Sequence, residues 1–269
     1  MKRLKRYSRI VLTMLWLAMS AGAVGVYAYR HFRFPSVPET FPNGELVIAI
    51  DPSYPPFGNI VEDTFVGLDI DIGKALAAEL GLTPRFVMVN FDSAYDAVRT
   101  GAADISLAGL RVDTARMGDV HYTWGYLNDG VMVVSSSASA DGWALGGMRV
   151  GVELGAAGHA EARLWTRRVK AMGIETFETP DGALDALERG DVDAVLADAI
   201  SVRDYLRRHP NADFRAGYLT AEFYSGAVRS GRRDVLYHLN GAMLTLLNDG
   251  TIGALLERHI GAEPQAVSP

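Results

Sequence analysis

From Glu45 onward, short apolar runs alternate with segments whose apolar residues recur every three or four positions. Leu46-Val47-Ile48-Ala49-Ile50 is closed by Asp51-Pro52 and predicts a buried strand. Asp71 to Leu80 places Ile72, Ala75, Leu76 and Leu80 on one helical face, and Gly81 supplies a stop. Arg85 to Val89 reads as strand, Ser93 to Arg99 as a short helix and Ile105 to Leu110 as a third apolar run. This β-α-β-α-β order predicts a mostly parallel sheet with helices on both faces.

The pattern restarts after a Ser/Ala/Gly-rich gap, Ser135 to Gly147. Arg149 to Val152, Glu175 to Phe177 and Ala194 to Ala197 read as strands. Ala160 to Ala171, Gly182 to Arg189 and Ile200 to Arg208 read as helices. Phe223 to Val228 returns to strand, followed by helices over Asp234 to Asn248 and Thr251 to His259. The expected fold class is α/β with two lobes, 45–129 and 130–225, the first completed by a return segment at 226–262 and followed by a disordered tail at 263–269. Ligands of such folds sit in the crevice at the carboxyl ends of the strands.

Charge is distributed unevenly. Seven of the 26 Lys and Arg fall in residues 1–33 with no acid among them, so the remainder carries 19 bases against 32 acids. A body this acidic excludes nucleic acid as a partner, because binding it depends on neutralising phosphates. The basic start is followed by twenty uncharged residues, Ile10 to Tyr29, long enough to span a bilayer as a helix. Residues 1–34 are therefore expected to be a signal peptide or a membrane anchor that leaves the body exported, with small-residue cleavage sites at Ala21-Gly22-Ala23 and Val26-Tyr27-Ala28. Residues 35–44, with three prolines, read as a linker. The chain has no cysteine, which excludes disulfides, cysteine-ligated zinc and a cysteine nucleophile. The six histidines lack metal-ligand spacing, and no phosphate loop or nucleophile elbow is found, so no metal or cofactor is expected.

Several segments carry a resemblance. Ala49-Ile50-Asp51-Pro52-Ser53-Tyr54-Pro55-Pro56-Phe57 resembles the opening strand and loop of family 3 extracellular solute-binding proteins. Val66-Gly67-Leu68-Asp69-Ile70-Asp71-Ile72 is similar to that family's helix entry, and Ala97-Val98-Arg99-Thr100-Gly101 with Asp104 to a second segment. Leu154-Gly155, Gly158, Ala183 to Leu187, Gly190, Asp193-Ala194, Ala197-Asp198 and Asn248-Asp249-Gly250-Thr251 recur in order, so that the resemblance runs from about residue 45 to 261. It implies a monomeric two-lobed clamp of the type II periplasmic-binding-protein kind, held outside the cytoplasmic membrane. It further implies a hinge near Leu127 to Val134 and Glu222 to Val228, and delivery of an amino acid to the permease of an ABC importer.

The same resemblance places the ligand carboxylate on Arg116, whose planar fork suits a carboxylate, and the ligand ammonium on Asp198. Asp113 reads as the N-cap of the turn bearing Arg116, and Asp198 also as the N-cap of the helix from Ile200. Asp51, Tyr54, Phe57 and Phe91 match positions around the ligand side chain. Two departures stand out. The family's hydroxyl-rich loop is Ala108-Gly109-Leu110-Arg111 here, so backbone N–H groups must serve, and Arg111 either adds a second cation beside the ligand or pairs with Asp113. In the second lobe Gly155-Ala156-Ala157 replaces a threonine pair, leaving amides as an anion nest. Trp124 and Tyr126 read as packing near the hinge. Three functions follow from these readings: a binding protein feeding a transporter, a membrane-anchored ligand sensor, and an enzyme of the cyclohexadienyl dehydratase kind that shares the fold.

Overall fold

The computed structural model describes residues 34–136 and 141–264, with Met19, Ser20 and Gly22. The chain divides into two compact units, residues 1–42 and 43–269. In the first, the proline-rich segment encloses one helical turn, α1 (Val37–Thr40). Its entry is held by the Glu39 carboxylate, which accepts from Ser36 N at 2.7 Å and Ser36 Oγ at 2.8 Å. The expected signal peptide or anchor lies almost wholly outside the described residues. Among the described residues no helix is long and apolar enough to cross a membrane.

The second unit begins with β1 (Glu45–Ile50), the hairpin β2 (Asn59–Val61) and β3 (Thr64–Val66), α2 (Leu68–Glu79) and β4 (Thr83–Met88). α3 (Ala94–Thr100), β5 (Ile105–Ser106), β6 (Val120–Tyr122), β7 (Leu127–Asn128) and β8 (Val131–Ser135) follow. Next come β9 (Arg149–Glu153), α4 (Ala157–Trp165), β10 (Gly173–Phe177), α5 (Pro180–Arg189), β11 (Ala194–Asp198) and α6 (Ala199–Arg208). β12 (Arg215–Tyr218), β13 (Phe223–Tyr224), β14 (Ala227–Arg229), α7 (Arg233–Asn248) and α8 (Thr251–His259) complete it.

Two five-stranded sheets result, ordered β4-β1-β5-β14-β6 and β10-β9-β11-β8-β12. In each, four strands run the same way and the fourth in spatial order is reversed, β14 in the first and β8 in the second. β14 lies between β5 and β6, so the return segment enters the middle of the first sheet. The central strands of the second sheet, β8, β9 and β11, are buried on both sides, which explains their continuous apolar runs. Met132, Val134, Val195 and Ala197 join one core cluster, while Val131, Val133, Ala194 and Leu196 join another. These are the alternating faces of β8 and β11.

The two chain segments that pass between the sheets are paired with each other. β7 and β13 form an antiparallel two-stranded ribbon, Phe223 opposite Asn128 and Tyr224 opposite Leu127. The Asn128 side chain accepts from both Gly130 N at 3.0 Å and Glu222 N at 2.9 Å. Gly130 admits no side chain, because a Cβ there would stand 2.0 Å from the Thr220 carbonyl oxygen.

Some expectations need correction. The strand expected over Phe223 to Val228 is two strands, broken at Ser225-Gly226, where a Cβ on Gly226 would meet Ile105 at 2.5 Å. The helix expected over Ala160 to Ala171 is α4, starting directly behind Gly155 and ending at Trp165, whose ring packs on Gly142 and Trp143. Tyr126 is packed at 3 % exposure, but Trp124 is 58 % exposed. The β2–β3 hairpin escaped notice because its turn is Glu62-Asp63, both with positive φ, in place of the glycine that usually marks such turns.

Of the tail expected at 263–269, Glu263 and Pro264 are described, and the rest lies outside the described residues. Arg203 of α6, 3 % exposed, donates Nη1 to the Gly261 carbonyl at 3.2 Å and pairs Nη2 with Glu263 at 3.0 Å. The residues after α8 are thereby tied to a helix of the second sheet. Arg203→Met keeps the bulk and removes both ties, leaving the Gly261 carbonyl without its donor. The expected cost is about 1–2 kcal/mol, read from urea unfolding; an unchanged midpoint would show the strap to be idle.

Candidate functional site

The carboxyl ends of β1, β5, β9 and β11 carry most of the residues singled out above. Asp51, directly after β1, is 5 % exposed, and its Oδ1 accepts from Ser53 N at 2.9 Å and Ser53 Oγ at 2.6 Å. Tyr54 is half-exposed and stacks on Phe57 at 5.3 Å, and Phe57 stacks on Tyr224 at 4.6 Å. Phe57 is buried, so it supports Tyr54 from beneath and does not line an open wall. Gly109, with φ of +60°, passes under Tyr54, where a Cβ would come 2.7 Å from the ring. Phe91 stands exposed on a single 3₁₀ turn capped by Asn90, whose Oδ1 accepts from Ser93 N at 3.0 Å.

The Ala108 to Arg111 loop differs from expectation in two ways. Ala108 and Leu110 are buried, and the Gly109 N–H is already committed, donating to Asp69 Oδ2 at 2.6 Å. Asp69 is fully enclosed, and its Oδ1 accepts from Tyr126 Oη at 2.6 Å. Burial pushes the Asp69 carboxyl up to about 6, with the Tyr126 and Gly109 hydrogen bonds pulling the other way. Arg111 does not pair with Asp113. Its Nη2 meets Asp129 Oδ2 at 3.1 Å, its Nη1 meets Glu222 Oε2 at 3.1 Å, and its Nε donates to Tyr224 Oη at 3.0 Å. The guanidinium also lies 5.2 Å from the centre of the Tyr224 ring.

Asp113 does cap its turn, accepting from Ala115 N at 2.9 Å, and its other oxygen meets Arg116 Nε at 3.4 Å. The Arg116 guanidinium lies 4.3 Å over the Tyr95 ring, half-exposed. Asp198 closes β11 and caps α6, accepting from Ser201 N at 2.8 Å and Ser201 Oγ at 2.9 Å. Beside it, Asp129 accepts from Ile200 N at 2.9 Å. Burial pushes the Asp129 carboxyl up to about 6; the Ile200 hydrogen bond opposes this and the Asp198 charge adds to it.

In the second lobe, Gly155 has φ of +86° and donates its N–H to His159 Nδ1 at 3.1 Å, while Ala156 N donates to the Glu153 carbonyl at 3.3 Å. The first amides of α4, on Ala157 and Gly158, are the donors left for an anion at this helix start.

Contacts therefore join Tyr54, Phe57, Gly109, Arg111 and, through Asp129, Asp198 into one network. Arg116 has partners of its own, and Phe91 and Gly155–Ala157 stand outside the network. Asp69, Asp129, Glu222 and Tyr224 were missed. Asn128-Asp129-Gly130 reads as a polar turn, and nothing local distinguishes Asp69 from an ordinary acid in a helix's first turn. Elsewhere the structure gathers Asp185, Glu188 and His209 with ligand atoms within 4.8 Å of one another. Tyr205 stands at that convergence, its single Oη proton shared between Asp185 Oδ1 at 2.8 Å and Glu188 Oε2 at 3.0 Å, and its ring stacks on His209 at 4.0 Å.

Comparison with known proteins agrees with the fold. ABC transporter arginine-binding protein 1 of Escherichia coli (strain K12) is 26% identical over 209 residues, covering 75% of this chain and 85% of that protein. L-cystine-binding protein TcyJ of the same strain is 24% identical over 229 residues, covering 82% and 84%. The crystal structure of an ancestral cyclohexadienyl dehydratase superposes with a TM-score of 0.72 over 86% of this chain and 99% of that one; at 20% identity it shows the fold and no chemistry. The family model for bacterial extracellular solute-binding proteins, family 3, matches residues 46–262. That match takes in both sheets and the return segment, and the chain belongs to the bacterial extracellular solute-binding proteins, family 3.

Proposed function

We propose that this protein captures an α-amino acid with a cationic side chain outside the cytoplasmic membrane and delivers it to an ABC importer. The observation that carries the reading is electrostatic. Arg111, the cation most deeply placed in the network, already faces Asp129 and Glu222, so it offers little to an acidic ligand. Asp198 and Asp51 add negative charge at the ends of β11 and β1. A site with surplus carboxylate favours a ligand carrying a second cation. The arginine-binding relative points the same way.

In this reading Asp198 receives the ammonium and Arg116 turns from Asp113 to meet the carboxylate. Asp51 faces the cationic side chain, Tyr54 and Phe91 flank it, and the first amides of α4, on Ala157 and Gly158, complete the carboxylate site. Residues 1–34 act as export signal or membrane anchor, and the protein works as a monomer.

L-Arginine at a hundred times its Kd should stabilise the folded state by about 2.7 kcal/mol, or roughly 5–10 °C in Tm for a chain of this size. L-Glutamate should give no rise. A flat response to all twenty amino acids would sink the reading, and a response to glutamate alone would sink its cationic part. Arg116→Ala should weaken L-arginine binding roughly 100-fold, about 2.7 kcal/mol, by removing a charge-assisted pair; titration calorimetry that shows retained affinity would remove Arg116 from the site.

A further inference from the structure

We propose that Arg111 and Asp129 form a positioning pair that holds the first turn of α6, and with it Asp198, in place for the ligand ammonium; this rests on the amino-acid reading above. Three observations converge on that turn. Two carboxylates meet one helix N-terminus: Asp198 takes the N–H of Ser201, and Asp129 takes the N–H of Ile200. Helix N-termini favour negative charge, yet two neighbouring carboxylates repel, and burial adds to the cost of ionising Asp129. The compensating charge comes from the other sheet's side of the ribbon, where Arg111 holds the free oxygen of Asp129 at 3.1 Å. Arg111 is itself fixed in orientation by Glu222 and by Tyr224 Oη.

Register explains the placement. Asp198 stands opposite Val131 in the β11–β8 pair, so Asp129, two residues earlier, arrives beside the α6 entry as the crossing segment enters the second sheet. Without the Arg111 guanidinium, Asp129 loses the partner that holds it beside Asp198 and swings away. That movement frees the Ile200 N–H and lets the Asp198 loop drift. Arg111 thus acts on the ligand through Asp129 and not by touching it.

The test is a double-mutant cycle of Arg111→Gln and Asp129→Asn, titrated with L-arginine and its neutral isostere L-citrulline. Each single variant should weaken both ligands about tenfold and to the same degree, and the double variant should be no weaker, because the two residues act as one unit.

Tightened L-arginine with unchanged L-citrulline in Arg111→Gln would show direct repulsion of the ligand and overturn the pair. Losses that multiply in the double variant would overturn it too. A ligand-free arm keeps the two proposals separable: amide exchange at residues 199–201 of the unliganded Arg111→Gln protein should quicken at least tenfold, with α5 unchanged. Unchanged exchange there refutes the pair whatever the ligand. If the unmodified protein binds no amino acid while exchange does quicken, the amino-acid reading fails and the positioning of α6 stands.

Discussion

Gly158→Val should cost about 4 kcal/mol and leave the second sheet poorly formed at physiological temperature. Gly158 is the second residue of α4, and the helix lies so close to β11 that a Cβ would stand 2.1 Å from the Leu196 carbonyl oxygen and 2.8 Å from its carbon. No rotamer relieves a clash between a Cβ and a backbone carbonyl in a central strand. The helix must lift, and lifting it pulls Ala162 and Trp165 from the cluster they share with Val150, Val152 and Leu196. Gly241→Ala in α7 is the natural control. Nothing lies within 4 Å of the added methyl, so the better helix propensity of alanine should stabilise by up to about 1 kcal/mol. Urea unfolding of the two variants separates packing from propensity; similar midpoints would show that α4 tolerates displacement.

The second large effect is a pH slope. Asp69 has its folded-state carboxyl raised to about 6 from an ordinary 3.8, because burial penalises its charge. A raised carboxyl means that the folded chain holds the proton more tightly than the unfolded one. Stability from this group is therefore fullest below pH 4 and is lost as pH rises towards 6. A shift of about two pH units corresponds to on the order of 3 kcal/mol. Asp69→Asn removes the ionisation while keeping an oxygen for the Gly109 N–H. Between pH 4 and 7 the unmodified protein should lose about 3 kcal/mol relative to the variant. Parallel unfolding profiles for the two proteins would show that the carboxyl titrates normally. The slope matters for the cleft because Asp69 fixes Gly109, over which Tyr54 lies.

These two residues also mark what was readable in the chain and what was not. The α/β order and Asp198 at a strand end were legible because each depends on local periodicity or on the residue after an apolar run. The return of the chain to the first sheet at β14 was legible because too few residues remain after it for a further domain. Arg111 was visible as a departure, yet its partners were not. Asp129, Glu222 and Tyr224 lie 18 to 113 positions away, and only the crossing of β7 and β13 brings them together. Local pattern carries no information about such a meeting. Asp69 was quoted within a motif, but its enclosure depends on Tyr126, 57 residues on.

The reversed fourth strand of the first sheet has a further consequence for how the chain is made. All five strands of the second sheet fall between Val131 and Tyr218, so that sheet can close once this stretch has emerged. The first sheet cannot, since β14 must slot between β5 and β6. A chain delivered amino end first holds β5 and β6 with unpaired edges until residue 229 arrives. Open edges of that kind invite pairing with other chains. The first half of the molecule is thus the last to be finished, and during synthesis it is the part most in need of shelter.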